Sequence, residues 1–375
     1  PIAVSNAAAA SRMAIGEALT NLVSVDVNLD RIILSANWMG ACGVKGQDAA
    51  LYDGVSAASS FCQELGVSIP VGKDSLSMKT SWKDQAGEDK TVVSPVSLVV
   101  SAAAPVYDIR NNLLPMFAES VRDSSLLLID LGHGKDRLGG SVYSQVTQRF
   151  DSVTPDMEDP KELKKFLELI RSLSAKGAIL AYHDRSDGGL AAALCEMMFA
   201  SHVGVEIVAD ALVSKDRTLN QALFNEELGA VIQVARGRAA EVERDFEAAG
   251  MGWSLKYLGN LTQDDHLNIY LEGKCVLSED RVDLQKAWNE VSWQIARMRD
   301  NPECADSEYE LISDKHNGGL VLTMGFDPEE NLAAPFINTG VRPKVAILRE
   351  QGVNSQNEMA SAFLQAGFDA VDVHM

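Results

Sequence analysis

The sequence predicts a protein of mixed α/β plus α+β class, and three observations carry that expectation. Helix-like and strand-like segments alternate along most of the 375 residues, the pattern of sheets covered by helices. Val92–Ala103 has the Val and Leu content of a sheet interior. Pro343–His374 reads strand, loop, helix, strand, which is the opening of a parallel sheet. At this length roughly two domains can each bury a sizeable core.

Taken in order, Ala7–Leu22 is a predicted helix, Ile32–Asn37 a strand, and Gln47–Leu65 a helix stopped by Gly66. Val67–Val71 and Val92–Ala103 are predicted strands with a polar loop, Ala86–Lys90, between them. A composition shift after Pro105 opens a second domain near Leu113, so the first covers 1–112. That second domain, 113–278, starts with a strand at Leu126–Leu131 and the glycine-rich loop Gly132–Ser141. It continues with a helix at Pro160–Lys176, a strand at Gly177–Tyr182 and a helix at Gly189–Ala200. A helix at Thr218–Phe224, a strand at Ala230–Ala235, a helix at Arg238–Ala249, and strands at Leu255–Leu258 and Leu267–Tyr270 complete it. Glu279–Ala305 reads as an amphipathic helix and Asp306–Val341 as a linker, giving a connecting segment over 279–341. The last part, 342–375, is the βαβ unit; two parallel strands cannot bury both faces alone, so the chain reads as cut inside its next domain.

Composition narrows the function classes. Hydrophobic residues are 46% and charged residues 23%, near the globular average. No run is apolar and long enough to span a bilayer, and the amino end lacks the basic flank and apolar core of a signal peptide. A cytoplasmic location without membrane partners is the expectation. With 53 acidic against 33 basic residues the net charge is −20, and no basic cluster interleaved with aromatics exists, so nucleic acid is not an expected partner. The cysteines, Cys42, Cys62, Cys195, Cys275 and Cys304, are odd in number and never in a CxxC spacing. They read as reduced, structural thiols.

The stretch Tyr182–Leu190, YHDRSDGGL, places Asp184, Ser186, Asp187 and the glycine pair Gly188–Gly189 between a strand and a helix. Amide groups at a helix start attract anions, whereas Asp184 and Asp187 repel a phosphate unless a divalent cation lies between. A magnesium–nucleotide complex satisfies both demands; a capped helix following a glycine turn satisfies the sequence as well. Glu17 and Asn21 stand four apart on one helix face, about 6 Å between Cβ atoms. One carboxylate and one amide oxygen at that spacing can share a hard cation, or form an ordinary polar face. Lys73, in PVGKDSLSMK, is placed to contact a phosphate as a point charge or to pair with Asp74. The stretch lacks the GxxxxGK[ST] spacing of a P-loop, and Gly132, Gly134, Gly139 and Gly140 lack that of a dinucleotide fold. The carboxylates of Asn225–Gly229, NEELG, read first as a solvated loop, with a second acidic contribution to a nucleotide site as the alternative. His183 is placed to hydrogen-bond a phosphate, but no catalytic nucleophile or triad is present, so no catalytic residue is assigned.

The segments AIGEALTN, SANWMGACGVKGQDAALYDGV, VGKDSLSMKT, SPVSLVVSA, AYHDRSDGGL, LFNEELGAVIQV, RDNPECAD and RPKVAILREQGVNSQNEMASAF, in this order, resemble phosphoribosylformylglycinamidine synthase of the large, single-chain bacterial type. The resemblance covers essentially the whole chain. It implies the second synthetase half, with aminoimidazole ribonucleotide synthetase-like N- and C-terminal domains, then a helical linker, then the start of a flavodoxin-like class I glutamine amidotransferase. It also implies a ligase that uses ATP and glutamine-derived ammonia in purine synthesis. In that family Glu17, Asn21 and Asp184 match magnesium ligands and Ser186 a nucleotide contact. Mg2+ and ATP or ADP are thus the implied cofactors, and the nucleotide in this half is largely structural. The implied partners are the first synthetase half and the glutaminase of the same parent chain. Further expectations remain open: a stand-alone ATP-using synthetase of the same superfamily, or a nucleotide-stabilised scaffold without its own chemistry.

Overall fold

The computed structural model describes every residue except Arg122 and His316. It divides into two compact units, residues 1–315 and 316–375, and each is described by itself.

In the larger unit the chain opens with α1 (Ile2–Ser5), α2 (Ala7–Leu22), β1 (Ile33–Met39) and α3 (Gln47–Leu65). It continues with β2 (Ser68–Ser75), β3 (Lys79–Lys83), β4 (Asp89–Val93) and β5 (Ser97–Ala103). Asn6 starts α2 by accepting the Ala9 amide hydrogen at 2.9 Å. β1 is central in a three-stranded sheet of order β2-β1-β5, parallel to β2 and antiparallel to β5. β3 and β4 form a separate exposed hairpin. The single strand expected over Val92–Ala103 is therefore two: β4 ends at Val93 and β5 begins at Ser97. Pro95 lies in the break and has no N–H to offer a ladder.

The chain then forms β6 (Ser124–Asp130), α4 (Val142–Val146), α5 (Pro160–Ala175), β7 (Ala181–Asp184), α6 (Gly189–Ser201) and β8 (Gly204–Val208). It goes on through α7 (Leu219–Phe224), β9 (Gly229–Ala235), α8 (Ala239–Ala248), β10 (Leu255–Thr262), β11 (His266–Leu271) and β12 (Lys274–Asp280). The unit closes with α9 (Arg281–Arg299) and α10 (Pro302–Leu311). Seven strands make one sheet in the order β12-β11-β8-β10-β6-β9-β7, with β8 and β11 its one parallel pair among the described residues. Every residue of β6 is buried, as its place between β10 and β9 demands. β8 and β12 lie outside the expected elements; β12, KCVLSED, is a short apolar run flanked by charged residues at a mostly exposed edge, which hides it from a hydrophobicity reading. The helix expected over Glu279–Ala305 is broken at Asp300, where Asn301 caps a new helix and Pro302 takes its first position.

One hydrophobic cluster runs from Met13, Leu19 and Phe61 through Leu127, Ile129 and Phe166 to Phe246. It fills the space between the elements of residues 1–112 and one face of the seven-stranded sheet. A second cluster, including Leu194, Met197 and Ile207, covers the other face with α6. The elements of residues 1–112 and of 113–278 therefore share a core, and α9 and α10 lie in the same compact unit. Segment 317–333 holds no helix or strand. The smaller unit contains α11 (Ala334–Asn338), β13 (Lys344–Arg349), α12 (Gln356–Gln365) and β14 (Asp369–His374), with β13 and β14 parallel as expected.

Candidate functional site

Two contacts bring distant parts of the chain to one cleft. α2 lies close to the core because Gly16 has no side chain; a Cβ there would come within 2.2 Å of Leu228 Cδ1. The Tyr182 hydroxyl donates to the Thr20 carbonyl oxygen at 2.6 Å and pins β7 to α2. One residue further along α2 and two further along β7, Asn21 Nδ2 donates to Asp184 Oδ1 at 3.3 Å. Glu17, Asn21, His183, Asp184 and Ser186 thus line one cleft of about 540 Å³, whose apolar wall includes Leu98, Val99 and Val100 of β5.

The turn after β7 is held from behind. Arg185 is fully buried between the two cleft residues Asp184 and Ser186 in sequence. Its Nη2 donates to Asp130 Oδ1 at 2.6 Å and its Nε to the Glu227 carbonyl oxygen at 2.6 Å. Burial is the largest influence on Asp130 and raises its pKa. The attraction of Arg185, its hydrogen bond and the Gly132 amide nevertheless hold the group below the usual carboxylate range. Gly188 and Gly189 then turn the chain into α6 with φ of 79° and 67°. At Gly189 a Cβ would lie 2.5 Å from the Asn225 carbonyl oxygen, so glycine is required by both the dihedral and the space.

Negative charge dominates the cleft. Glu17 is solvent-accessible as a residue, yet partial burial of its carboxyl, then repulsion from Asp187, Asp184 and Glu226, push its pKa up to about 7. His183 lines the same cleft: its Nε2 lies 3.1 Å from Glu196 Oε2 and its Nδ1 2.6 Å from the Asp184 carbonyl oxygen. Two acceptors facing both ring nitrogens require both to carry hydrogen. Burial lowers the His183 pKa, but the Glu196 and Asp184 contacts together raise it above the ordinary value. The donor set of two carboxylates and an amide oxygen, in a ring of like charges, fits a hard divalent cation. The amide of Asn21 turns its NH2 toward Asp184, which leaves its oxygen available. Among the described residues no group of three or more His, Cys, Asp or Glu is arranged to hold a metal ion. This trio contains only two such residues, and Asn21 is its third member.

Of the residues expected at the site from sequence, Glu17, Asn21, Asp184 and Ser186 share the cleft. Lys73 does not. It sits on β2, across β1 from β5, and lines a separate groove with Trp38, Val55 and Val71. Gly188 adjoins the cleft, but its amide hydrogen is already taken by Glu226 Oε1 at 2.9 Å. The solvated loop expected at Asn225–Gly229 is instead buried: Asn225 is 0%, Glu226 8% and Glu227 1% exposed. Glu227 pairs with Arg137 at 2.6 Å, and Glu226 meets the glycine turn. Acidic side chains ahead of a strand look solvated in sequence, because the partners that bury them are about 40 to 90 positions away.

Three family models match in series: the FGAR-AT PurM_N-like domain over residues 1–105, the AIR synthase related protein C-terminal domain over 124–272, and the CobB/CobQ-like glutamine amidotransferase domain over 342–375. Among solved structures, T. maritima PurL complexed with ATP is 11% identical with a TM-score of 0.50, covering 72% of this chain and 40% of its own. PurLQS from Thermotoga maritima is 10% identical with a TM-score of 0.52, covering 75% and 42%. A hydrogenase maturation protein HypE in complex with ATP is 13% identical with a TM-score of 0.51, covering 72% and 79%. At these identities the likeness is one of fold, and the chain spans less than half the length of the PurL structures it matches. The chain is thus built from an FGAR-AT PurM_N-like domain, an AIR synthase-related C-terminal domain and a segment of a glutamine amidotransferase domain, the domain set of an FGAM synthase-type protein.

Proposed function

We propose that the chain is the second synthetase half, with the opening of the glutaminase, of a large single-chain phosphoribosylformylglycinamidine synthase. That cytoplasmic ligase converts formylglycinamide ribonucleotide, glutamine and ATP to formylglycinamidine ribonucleotide, glutamate, ADP and phosphate in purine synthesis. The domain boundaries follow as 1–112, 113–278, 279–341 and 342–375. In this reading Glu17, Asn21 and Asp184 hold Mg2+, Ser186 contacts a nucleotide phosphate, and the nucleotide is structural. The observation that carries it is the meeting of Asn21 and Asp184, 163 positions apart, at 3.3 Å beside Glu17. When bound, Mg2+ supplies the positive charge that lets a polyphosphate approach Glu17 and Asp184. Arg185 and Tyr182 keep those side chains in place, and the Ser186 hydroxyl is free to donate toward an anion. His183, which lines the cleft, is held by Glu196 and the Asp184 carbonyl oxygen rather than by a hydroxyl or thiol it could activate, which supports a structural role for this site.

The titration of ADP with Mg2+ into the chain, followed by calorimetry, tests the reading; nucleotide carried through purification is checked first by denaturing a sample. Binding or copurified ADP that Asp184→Asn abolishes is the expected outcome. Equal binding in the mutant overturns the assignment. A second reading, a stand-alone ATP-using synthetase of the same superfamily, is supported by the similarity to HypE, most of whose length the chain covers. The amidotransferase match over 342–375 weighs against it.

A further inference from the structure

The start of α6 is an anion-binding position that the protein fills itself. α6 is 13 residues long, its N-cap is Gly188, and no side chain of its own first turn caps it. Such a helix end presents free amide hydrogens and about half a positive charge to any anion that reaches it. The anion there is Glu226, brought by the segment that precedes β9. Its Oε1 accepts the Gly188 amide hydrogen at 2.9 Å and the Val142 amide hydrogen, at the start of α4, at 2.8 Å. Glu226 is only 8% exposed. It also sits within the electrostatic reach of Glu17 and Asp187, both of the same sign. A buried carboxylate that faces two like charges is retained against a local cost, so its contribution lies in what it holds and what it excludes.

We propose that Glu226 determines the ligand specificity of the cleft, making it accept a nucleotide only as its divalent-metal complex and refuse metal-free nucleotide and inorganic phosphate. Two effects combine. The carboxylate occupies the glycine-turn amide that a bare phosphate would use, and it adds a negative charge to the ring formed by Glu17, Asp184 and Asp187. A polyphosphate arriving without a cation meets repulsion and no free amide at Gly188; one arriving with a cation is drawn by the same charges that repel the other. The inference rests on the nucleotide reading of the cleft and deepens it by naming the form of the ligand.

Glu226→Gln keeps an acceptor for both amide hydrogens and removes only the charge, whereas Glu226→Ala removes the charge and frees the amides. Binding of ADP to the full chain is measured by calorimetry in excess Mg2+ and again in EDTA, with inorganic phosphate as a second probe in EDTA. Thermal melting of each variant reports the fold. The expected result is that wild type binds ADP only with Mg2+. Each variant should gain about tenfold or more in metal-free affinity for ADP, the alanine variant should gain phosphate binding, and affinity with Mg2+ should change by less than about threefold. A merely structural Glu226 would lower both affinities together and leave the ratio with and without Mg2+ unchanged, and that outcome overturns the inference. Mg2+-dependent binding in wild type, with metal-free affinity unchanged in folded Glu226→Gln, overturns the inference alone. No binding by wild type even with Mg2+ overturns the proposed function and this inference with it.

Discussion

Replacing Arg185 by Met removes the group that holds the Asp184–Ser186 turn from inside the core. The Arg185 side chain makes three hydrogen bonds, to Asp130 Oδ1 at 2.6 Å, to the Glu227 carbonyl at 2.6 Å and to the Leu228 carbonyl at 3.2 Å. Met fills much of the same volume, so the loss is electrostatic rather than a cavity. Asp130, 2% exposed, is left as a buried charge, and breaking a buried pair from one side costs about 3–5 kcal/mol. Three features place this case at the lower end. Asp130 keeps the Gly132 and Gly134 amide hydrogens at 3.1 and 3.2 Å. Arg217 Nη2 stands 3.9 Å away. The Leu228 carbonyl retains the Leu131 amide hydrogen at 3.0 Å. In addition, Arg185 Nη1 is buried without a partner, and that cost disappears with the residue. The expected destabilisation is about 3 kcal/mol. Native-state hydrogen exchange at the amides of β6 and β9 is the suitable assay, because two compact units need not unfold together. A double-mutant cycle with Asp130→Asn should return a coupling above about 1 kcal/mol. A loss below about 1 kcal/mol, or additive single mutants, would refute the argument that this pair anchors the turn. Because the folded-state Asp130 carboxyl is held below its usual range, its contribution is present above an unfolded value of about 3.9. It is lost as pH falls through the folded value.

Three more outcomes are expected. Gly189→Ala forces φ of 67° on a residue with a Cβ and drives that Cβ toward the Asn225 and Leu223 carbonyl oxygens at 2.5 and 2.8 Å. The cost should be at least about 2 kcal/mol with loss of ADP binding, and a melting temperature equal to wild type would contradict it. Tyr182→Phe deletes the pin to the Thr20 carbonyl and should cost about 1–2 kcal/mol in urea unfolding. ADP affinity in Mg2+ should also fall, since α2 and β7 lose their register at the cleft. For Glu17, raised to about 7, the folded state favours the protonated acid. Its contribution to stability is therefore full below the unfolded value of about 4.3 and is lost as pH rises through about 7. A cation binds the ionised form, so Mg2+ affinity should rise about tenfold from pH 6 to pH 8 in calorimetry. Glu17→Gln should flatten that profile, and an unchanged slope would remove Glu17 from the ligand set.

Local signals carried the helices and the cleft residues well. Asn6 before an alanine run, Gly66 after Leu65, and the Gly188–Gly189 pair each leave a mark in neighbouring residues, because caps and turns are satisfied within a few positions. The fourfold spacing of Glu17 and Asn21 and the Asp184–Ser186 turn were readable for the same reason, and Pro343–His374 was recognisable as a βαβ opening. Other features depend on partners far along the chain. β12 is a strand because β11 supplies its ladder, although its own apolar run is short and flanked by charged residues. Lys73 lies beside a glycine in sequence, yet strand order puts it across β1 from the cleft. Glu226 and Glu227 are buried because Gly188, Val142 and Arg137 reach them from 38, 84 and 90 positions away. Hydrogen bonds across such separations leave no periodicity or capping pattern behind, so which acidic groups are dry and which face the cleft emerges only when the sheet order and the glycine turn have closed the fold.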